Sequence, residues 1–191
     1  LIKVISHDVE RIERLITDYS QMLKDEASLS RAKMAKIDLA NVVDSVVEDF
    51  NSDLLNSNKN IKIFVNNSNL NGSKLNVLGV ESKLEQIIAN LLDNSISFSP
   101  SNSKISVICN TKKKDAQLII EDEGPGFNEK NIDQIFSRFY SNRPEKFGEH
   151  SGLGLNIVKN IIELHGGSII ASNQPGNKKG AKIEVLLPIH K

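Results

Sequence analysis

The first residues of the chain carry a narrow apolar seam that an isolated helix would leave uncovered. Apolar side chains recur at alternating intervals of three and four residues, at Ile2, Ile5, Val9, Ile12, Ile16, Tyr19 and Leu23. Because a heptad seam of this kind is normally buried against partner helices, residues 1–36 are predicted to hold one helix of a hairpin or bundle. The alternative is a single helix that lies on its own domain.

From residue 37 onward the pattern changes to short strands alternating with helices, which indicates a second domain at 37–191. Strands are predicted at 37–39, 61–65, 75–78, 104–111, 116–121, 168–172 and 181–187. Helices are predicted at 40–55, Glu81–Phe98 and 153–165. Pro100 ends the second helix and Gly166-Gly167 the third. The segment 124–150 is long, contains Gly and Pro, and has weak periodicity.

Composition gives no support to several classes of function. The chain has 24 basic and 24 acidic residues, so charge gives no reason to propose nucleic acid or an anionic membrane as a partner. No apolar run approaches the roughly 20 residues of a membrane helix. Cys109 is the only cysteine and lies in an apolar run, which predicts a buried structural thiol and a reducing compartment such as the cytoplasm. Since Leu1 opens within a helical pattern, we expect a fragment of a longer protein.

Three carboxamides share one face of the predicted helix Glu81–Phe98. Gln86, Asn90 and Asn94 are spaced four residues apart, opposite the apolar side. Carboxamide oxygens suit Mg²⁺, which usually binds together with substrate phosphates. A merely solvated helix face explains the same pattern.

Two glycine-containing turns follow. Asp122-Glu123-Gly124-Pro125-Gly126 comes directly after an apolar strand, where a fixed carboxylate can accept a hydrogen bond from an exocyclic amine. Gly152-Leu153-Gly154-Leu155 opens a helix, whose exposed amide groups favour phosphate. Each turn alone is weak evidence for a binding site, because such glycines also occur where no ligand binds.

The order of these elements resembles the catalytic domain of sensor histidine kinases. The resemblance covers residues 37–191 and rests on four strings, which are Asn-Leu-Leu-Asp-Asn at 90–94, residues 122–126, Phe-Ser-Arg-Phe-Tyr at 136–140 and residues 152–155. It implies an α+β fold, a two-layer α/β sandwich of the Bergerat type shared with gyrase B, the Hsp90 chaperones and MutL, preceded by one long helix of a dimerisation hairpin. Ser-Phe-Ser-Pro at 97–100 and the sequence of 142–155 are similar to the ExoS/ChvG-type envelope sensors.

The resemblance also implies a site for ATP and Mg²⁺. Asn94 matches the principal Mg²⁺ ligand, Asn90 a supporting ligand, Phe98 the aromatic beside adenine, and Asp122 the carboxylate that reads the adenine amino group. The residues assigned in this way to nucleotide binding are Asn90, Asn94, Phe98, Asp122, Gly124, Gly126, Arg138, Tyr140, Arg143, Gly152, Leu153, Gly154 and Leu155.

One further segment and one further residue match the family, and one residue departs from it. Residues 141–151 match the mobile ATP lid, and Gly180 resembles the glycine that precedes the last strand. Position 97 departs from the family pattern, because Ser97 stands where many relatives have a Lys or Arg near the phosphates. That contact is then missing or is supplied by Arg143 or Lys146.

The function implied is transfer of the γ-phosphoryl group of Mg·ATP to a histidine on a helical hairpin, then to the receiver domain of a response regulator. The intact protein is expected to be a homodimer, with this domain on the cytoplasmic side of an inner-membrane sensor. One alternative is an ATP-gated conformational module of the gyrase B type, although the position of its general-base Glu here holds Asn90. Another is a non-catalytic nucleotide-binding module.

His7 is predicted not to be the phosphoacceptor. The family's acceptor motif continues with Thr or Asn four residues after the histidine and Pro five residues after it, whereas this chain has Arg11 and Ile12. One unbroken heptad seam also occupies most of the space before residue 37, which leaves no room for a hairpin.

Overall fold

The computed structural model describes residues 33–55, 59–128, 132–140, 152–176 and 178–190, together with single positions 9, 13, 16, 17, 19, 20 and 23. The strands are β1 (Ala35–Asp38), β2 (Lys62–Asn66), β3 (Asn76–Gly79), β4 (Lys104–Lys112), β5 (Asp115–Glu121), β6 (Ser168–Asn173) and β7 (Ala181–Pro188). The α-helices are α1 (Leu39–Leu54), α2 (Glu81–Phe98) and α3 (Gly154–Leu164). Short 3₁₀ helices form at Ser68–Leu70 and Ile132–Phe136.

The main sheet has the strand order β2-β4-β5-β7-β6 and is mixed, because β2 pairs with β4 in parallel while the other pairs are antiparallel. In β4, Ile105, Val107 and Cys109 are fully buried, whereas the residues between them are only partly buried. This alternation places the helices and the core on one face of the sheet. The predicted α+β, two-layer architecture is therefore confirmed.

Helix α1 begins one residue earlier than predicted, because Asp38 caps it. The Asp38 carboxylate accepts a hydrogen bond from the Ala40 amide at 3.3 Å, and the same oxygen accepts one from the Leu75 amide at 3.0 Å. Leu39 is consequently the first helical residue, not the last residue of a strand as predicted. The valine side of α1 is buried, as expected.

The end of α3 confirms the predicted glycine cap. Gly166 has φ +71°, and the Gly167 amide donates to the Ile162 carbonyl at 2.9 Å. His165 lies at this end and is buried. Its Nε2 accepts the Val80 amide at 3.2 Å, so Nδ1 carries the proton and donates to the Ile161 carbonyl at 2.7 Å. The imidazole therefore connects the end of α3 to the start of α2.

Cys109 is buried, as predicted. Burial, reinforced by the negative charges of Asp44 and Asp38, raises the pKa of its thiol to about 12. A thiol that stays protonated at neutral pH is a poor nucleophile, which agrees with the predicted structural role.

The described positions of the N-terminal segment are all helical. Val9, Ile16 and Leu23 lie at seven-residue intervals and are 47%, 61% and 45% exposed. Their spacing and exposure agree with a helix that presents an uncovered heptad seam. The predicted domain boundary between residues 36 and 37 remains a prediction, and His7 lies outside the described residues. No helix in the described part of the chain is both long enough and apolar enough to cross a membrane.

Candidate functional site

A cavity of about 190 Å³ lies between the C-terminal half of α2, the turn after β5 and the start of α3. Eight predicted site residues line it, namely Asn94, Phe98, Asp122, Gly126, Tyr140, Gly152, Gly154 and Leu155. The fold thus brings together residues that are widely separated in the sequence.

Asp122 supplies the one charged side chain among the described residues that line this cavity. Its Oδ1 accepts hydrogen bonds from the Gly124 amide at 2.9 Å and from the Ala181 amide at 3.0 Å. Burial raises the pKa of the Asp122 carboxyl, while these two backbone donors act in the opposite direction. Because both bonds end on Oδ1, the second carboxylate oxygen is left to accept a donor from a ligand.

The turn after Asp122 explains the predicted glycines. Gly126 has φ +78°, a conformation that favours glycine. A Cβ on Gly124 would lie 2.9 Å from the Asp122 carboxylate and 3.1 Å from the Phe98 carbonyl. Gly124 is not a lining residue, and its role is to let the turn pass close to Asp122.

The close packing of Gly180 against the backbone of Asp122 also requires a glycine at position 180. It has φ +134°, and a Cβ there would overlap the Asp122 carbonyl oxygen. Its predicted position before the last strand is confirmed, since β7 begins at the next residue.

Asn90 and Asn94 lie one turn apart on α2. The Asn94 side-chain nitrogen donates to the backbone carbonyl of Asn90 at 2.8 Å. The side-chain oxygen of Asn94 is therefore left as an acceptor at the cavity. Asn90 lies just outside the lining, where its Oδ1 would be 3.7 Å from a Cβ on Gly154. Gln86 does not share this site, because its oxygen accepts from Lys83 Nζ at 2.9 Å.

This donor set fits Mg²⁺ bound together with phosphates. Among the described residues, no group of three or more His, Cys, Asp or Glu could hold a metal ion. Two neutral carboxamide oxygens bind a hard cation weakly by themselves, so phosphate oxygens would have to complete the coordination.

The segment before α3 meets the loop at 139–140. Gly152 has φ +70°, and a Cβ there would lie 2.9 Å from the Tyr140 carbonyl oxygen. Gly154 is the first residue of α3, so the amide groups of its first turn open beside the cavity. Leu153 is fully buried and contributes packing, not a cavity wall.

Arg138 is exposed and lies outside the cavity lining. Its guanidinium carbon is 6.0 Å from the centroid of the Tyr19 ring, which in turn is 6.4 Å from the Phe139 ring. Arg143, Lys146 and the whole segment 141–151 lie outside the described residues.

The sequence did not single out the other walls of the cavity. These residues are Leu91, Ser95, Pro125, Phe127, Asn128, Ile135, Ala181 and Ile183. Ile135 belongs to the short 3₁₀ helix, which Asn156 holds by donating to the Phe136 carbonyl at 2.9 Å. The available signals were the strings at 90–94 and 122–126, which contain Leu91 and Pro125, and Phe127, which directly follows the second string.

Lys59 fixes the end of the helix that carries Phe98. Its Nζ donates to the carbonyl groups of Ile96, Ser97 and Ser99 at 2.9, 3.2 and 3.3 Å. A cation at a helix C-terminus also interacts favourably with the helix dipole. Phe98 itself is 42% exposed beside the cavity.

Replacing Lys59 by methionine is expected to lower the free energy of unfolding by about 1–2 kcal/mol, because three carbonyl groups lose a charged donor. Denaturant unfolding followed by circular dichroism measures this loss. Lys62→Met, at an exposed position on β2, serves as the control. An unchanged midpoint for Lys59→Met would contradict the capping role.

Comparisons with known proteins agree with this geometry. The family model described as histidine kinase-, DNA gyrase B-, and HSP90-like ATPase matches residues 79–191, which is more than half of the chain. The sensor protein ChvG of Rhizobium meliloti (strain 1021) is 38% identical over 196 aligned residues, covering 98% of this chain and 34% of that protein. The chain therefore spans about one third of the length of this relative. The predicted resemblance to ExoS/ChvG-type sensors is confirmed.

Solved structures give the same result. A mycobacterial sensor histidine kinase, MprB, is 26% identical with a TM-score of 0.67, covering 82% of this chain and 98% of that chain. Histidine kinase ThkA, in complex with the response regulator TrrA, is 21% identical with a TM-score of 0.72, covering 99% of this chain and 50% of that chain. The second likeness concerns the fold alone. The chain belongs to the histidine kinase-, DNA gyrase B- and HSP90-like ATPase family, as an ATP-binding catalytic domain of the sensor histidine kinase type.

Proposed function

We propose that this chain binds Mg·ATP in the cavity and phosphorylates a histidine on a helical hairpin. The observation that carries the proposal is the polarity of the cavity. A buried carboxylate lies at the Asp122 turn, whereas Asn94 and the first turn of α3 offer neutral and partly positive groups. Adenine is placed by its amino group at Asp122, and the phosphates extend toward Gly152 and Gly154, away from the carboxylate.

The apolar walls give the adenine ring its binding surface. Leu91, Ile135 and Ile183 line the cavity, and Phe98 and Phe127 add aromatic faces. Apolar and aromatic walls with one buried carboxylate are suited to a heterocycle that carries an exocyclic amine.

Asn94 and Asn90 are the residues proposed to hold Mg²⁺. The ion, when bound, neutralises phosphate charge during phosphoryl transfer. The chain itself orients the triphosphate through the amide groups before α3 and keeps the adenine end fixed at Asp122. Catalysis then consists mainly of positioning, since the histidine nitrogen of the acceptor attacks the γ-phosphorus while ADP leaves.

The N-terminal helix suggests where the acceptor comes from. Val9, Ile16 and Leu23 present an exposed seam that fits the partner helix of a hairpin and a second copy of the chain. We propose that the intact protein is a homodimeric inner-membrane sensor with this domain in the cytoplasm. The receiver domain of a response regulator is its proposed downstream partner. The structural neighbour ThkA was solved in complex with the response regulator TrrA.

Labelled ATP distinguishes kinase activity from the gyrase-like alternative. The chain alone, incubated with [γ-³²P]ATP, is expected to give no acid-labile phosphoprotein, because His7 is not the proposed acceptor. Added acceptor hairpin from a sensor histidine kinase is expected to become labelled. The matched control is Asp122→Asn, which is expected to label the hairpin more weakly at an ATP concentration near the wild-type Kd. Release of free phosphate without hairpin labelling would favour an ATPase module. Label on the chain that His7→Ala removes would overturn the assignment of the N-terminal helix.

A further inference from the structure

Two adjacent carboxamides hold the Asp122 turn from outside the cavity. Asn173 ends β6 and Gln174 follows it. The Asn173 oxygen accepts the Phe127 amide at 2.6 Å, and its nitrogen donates to the Phe127 carbonyl at 3.0 Å. Gln174 Nε2 donates to the Asp122 carbonyl at 2.6 Å. The carboxamide pair, Asn173 and Gln174, therefore fixes both ends of the segment 122–127.

Each member of the carboxamide pair occupies space that a glycine leaves open. A Cβ on Gly126 would lie 2.6 Å from the Asn173 oxygen, and a Cβ on Gly180 would lie 2.9 Å from Gln174 Nε2. The two glycines and two carboxamides thus form one packed unit. The backbone amide of Gln174 also donates to the backbone carbonyl of Gly180 at 3.0 Å, which connects this unit to the start of β7.

We infer that Asn173 and Gln174 are positioning residues for nucleobase recognition. Neither lines the cavity, so they act through Asp122 and Phe127, which do. Phe127 is held through both its amide and its carbonyl, so its backbone cannot rotate without breaking two hydrogen bonds. Fixing the carboxylate and the aromatic wall relative to each other sets the distance at which an exocyclic amine is read. This inference rests on the proposed nucleotide site.

The bonds to the Phe127 backbone involve an exposed residue, so their contribution to global stability is small. Their expected contribution is to local order beside the ligand, which is the property that recognition requires. A positioning role and a structural role consequently predict different measurements.

Calorimetric titration of the whole chain with Mg·ADP and Mg·GDP separates the two roles. Asn173→Ala is expected to weaken ADP binding by about ten-fold. GDP binding is expected to change little, because guanine has a carbonyl oxygen at C6, where adenine has the amino group that Asp122 is proposed to read. The ADP-to-GDP selectivity then falls, and the thermal unfolding midpoint stays close to that of the wild type. Gln174→Met, which keeps the size of the side chain and removes its donor, is expected to act in the same direction. Asn110→Ala, whose side chain accepts a bond from Asn69 on the far side of the sheet, is the control.

The outcomes are distinct. If the wild-type chain binds neither nucleotide, the proposed function fails. If the wild type selects ADP and both variants retain that selectivity, the inference about the carboxamide pair is wrong. Equal losses for ADP and GDP, with a lowered unfolding midpoint, would assign the pair a structural role and also overturn the inference.

Discussion

Gly180→Ala is expected to lower the free energy of unfolding by about 3–5 kcal/mol. The added methyl group overlaps the Asp122 carbonyl oxygen, and φ at this position is +134°, where a side chain is strained. Relief requires a shift of the pairing between β5 and β7, because the Asp122 amide donates to the Ala181 carbonyl at 3.1 Å.

Gly176→Ala is a matched control for this substitution. Gly176 also has positive φ, at +73°, but a Cβ there meets no atom within 4 Å. Its expected cost is about 1 kcal/mol, from backbone strain alone. Urea unfolding of both variants measures the difference. Similar midpoints for Gly180→Ala and Gly176→Ala would contradict the close packing of Asp122 against β7.

Asp122→Asn is expected to weaken Mg·ADP binding by about 1.5–3 kcal/mol, which corresponds to roughly 10- to 150-fold in Kd. The variant replaces a charged acceptor with a neutral one and places an amide donor near the adenine amino group. Asp115→Asn, at the other end of β5, is the control. Calorimetry that gives the same affinity for Asp122→Asn and wild type would refute the adenine assignment.

The same carboxylate gives binding a pH dependence. Because burial raises the pKa of Asp122, the carboxylate is protonated at a higher pH than an ordinary aspartate. The charged acceptor is lost as the pH falls through that raised pKa, so wild-type affinity declines there. The Asp122→Asn variant lacks this pH-dependent loss of affinity. Subtracting its pH profile of binding free energy from that of the wild type removes the contribution from protonation of the nucleotide itself.

Much of the fold could be predicted because local patterns decide it. The bounds of α2 were predicted to the residue, since its apolar side is continuous and Pro100 lies two residues after its last residue. The start of α1 was missed by one residue because the Asp38 cap also depends on the Leu75 amide, 37 residues away. The 3₁₀ helix Ile132–Phe136 carries too short a pattern to be recognised.

Residues of the candidate site could be predicted where they belong to a sequence motif. They could not be predicted where only the tertiary fold brings them to the site. Asn94, Asp122 and Gly152 were predicted and line the cavity. Gln86 shares the helix face of Asn94 by spacing, yet its oxygen accepts a hydrogen bond from Lys83. Asn173 has no motif of its own, and only the approach of β6 to the turn after β5 gives it a partner. Contacts of this kind depend on tertiary structure, which periodicity does not encode.

The most direct test of the account is a calorimetric titration of the wild-type chain with ADP, with and without Mg²⁺. We predict one site per chain, with tighter binding in the presence of Mg²⁺, because Asn90 and Asn94 act on the phosphates through the ion. Absence of ADP binding in both conditions would contradict the central claim that this cavity is a nucleotide site.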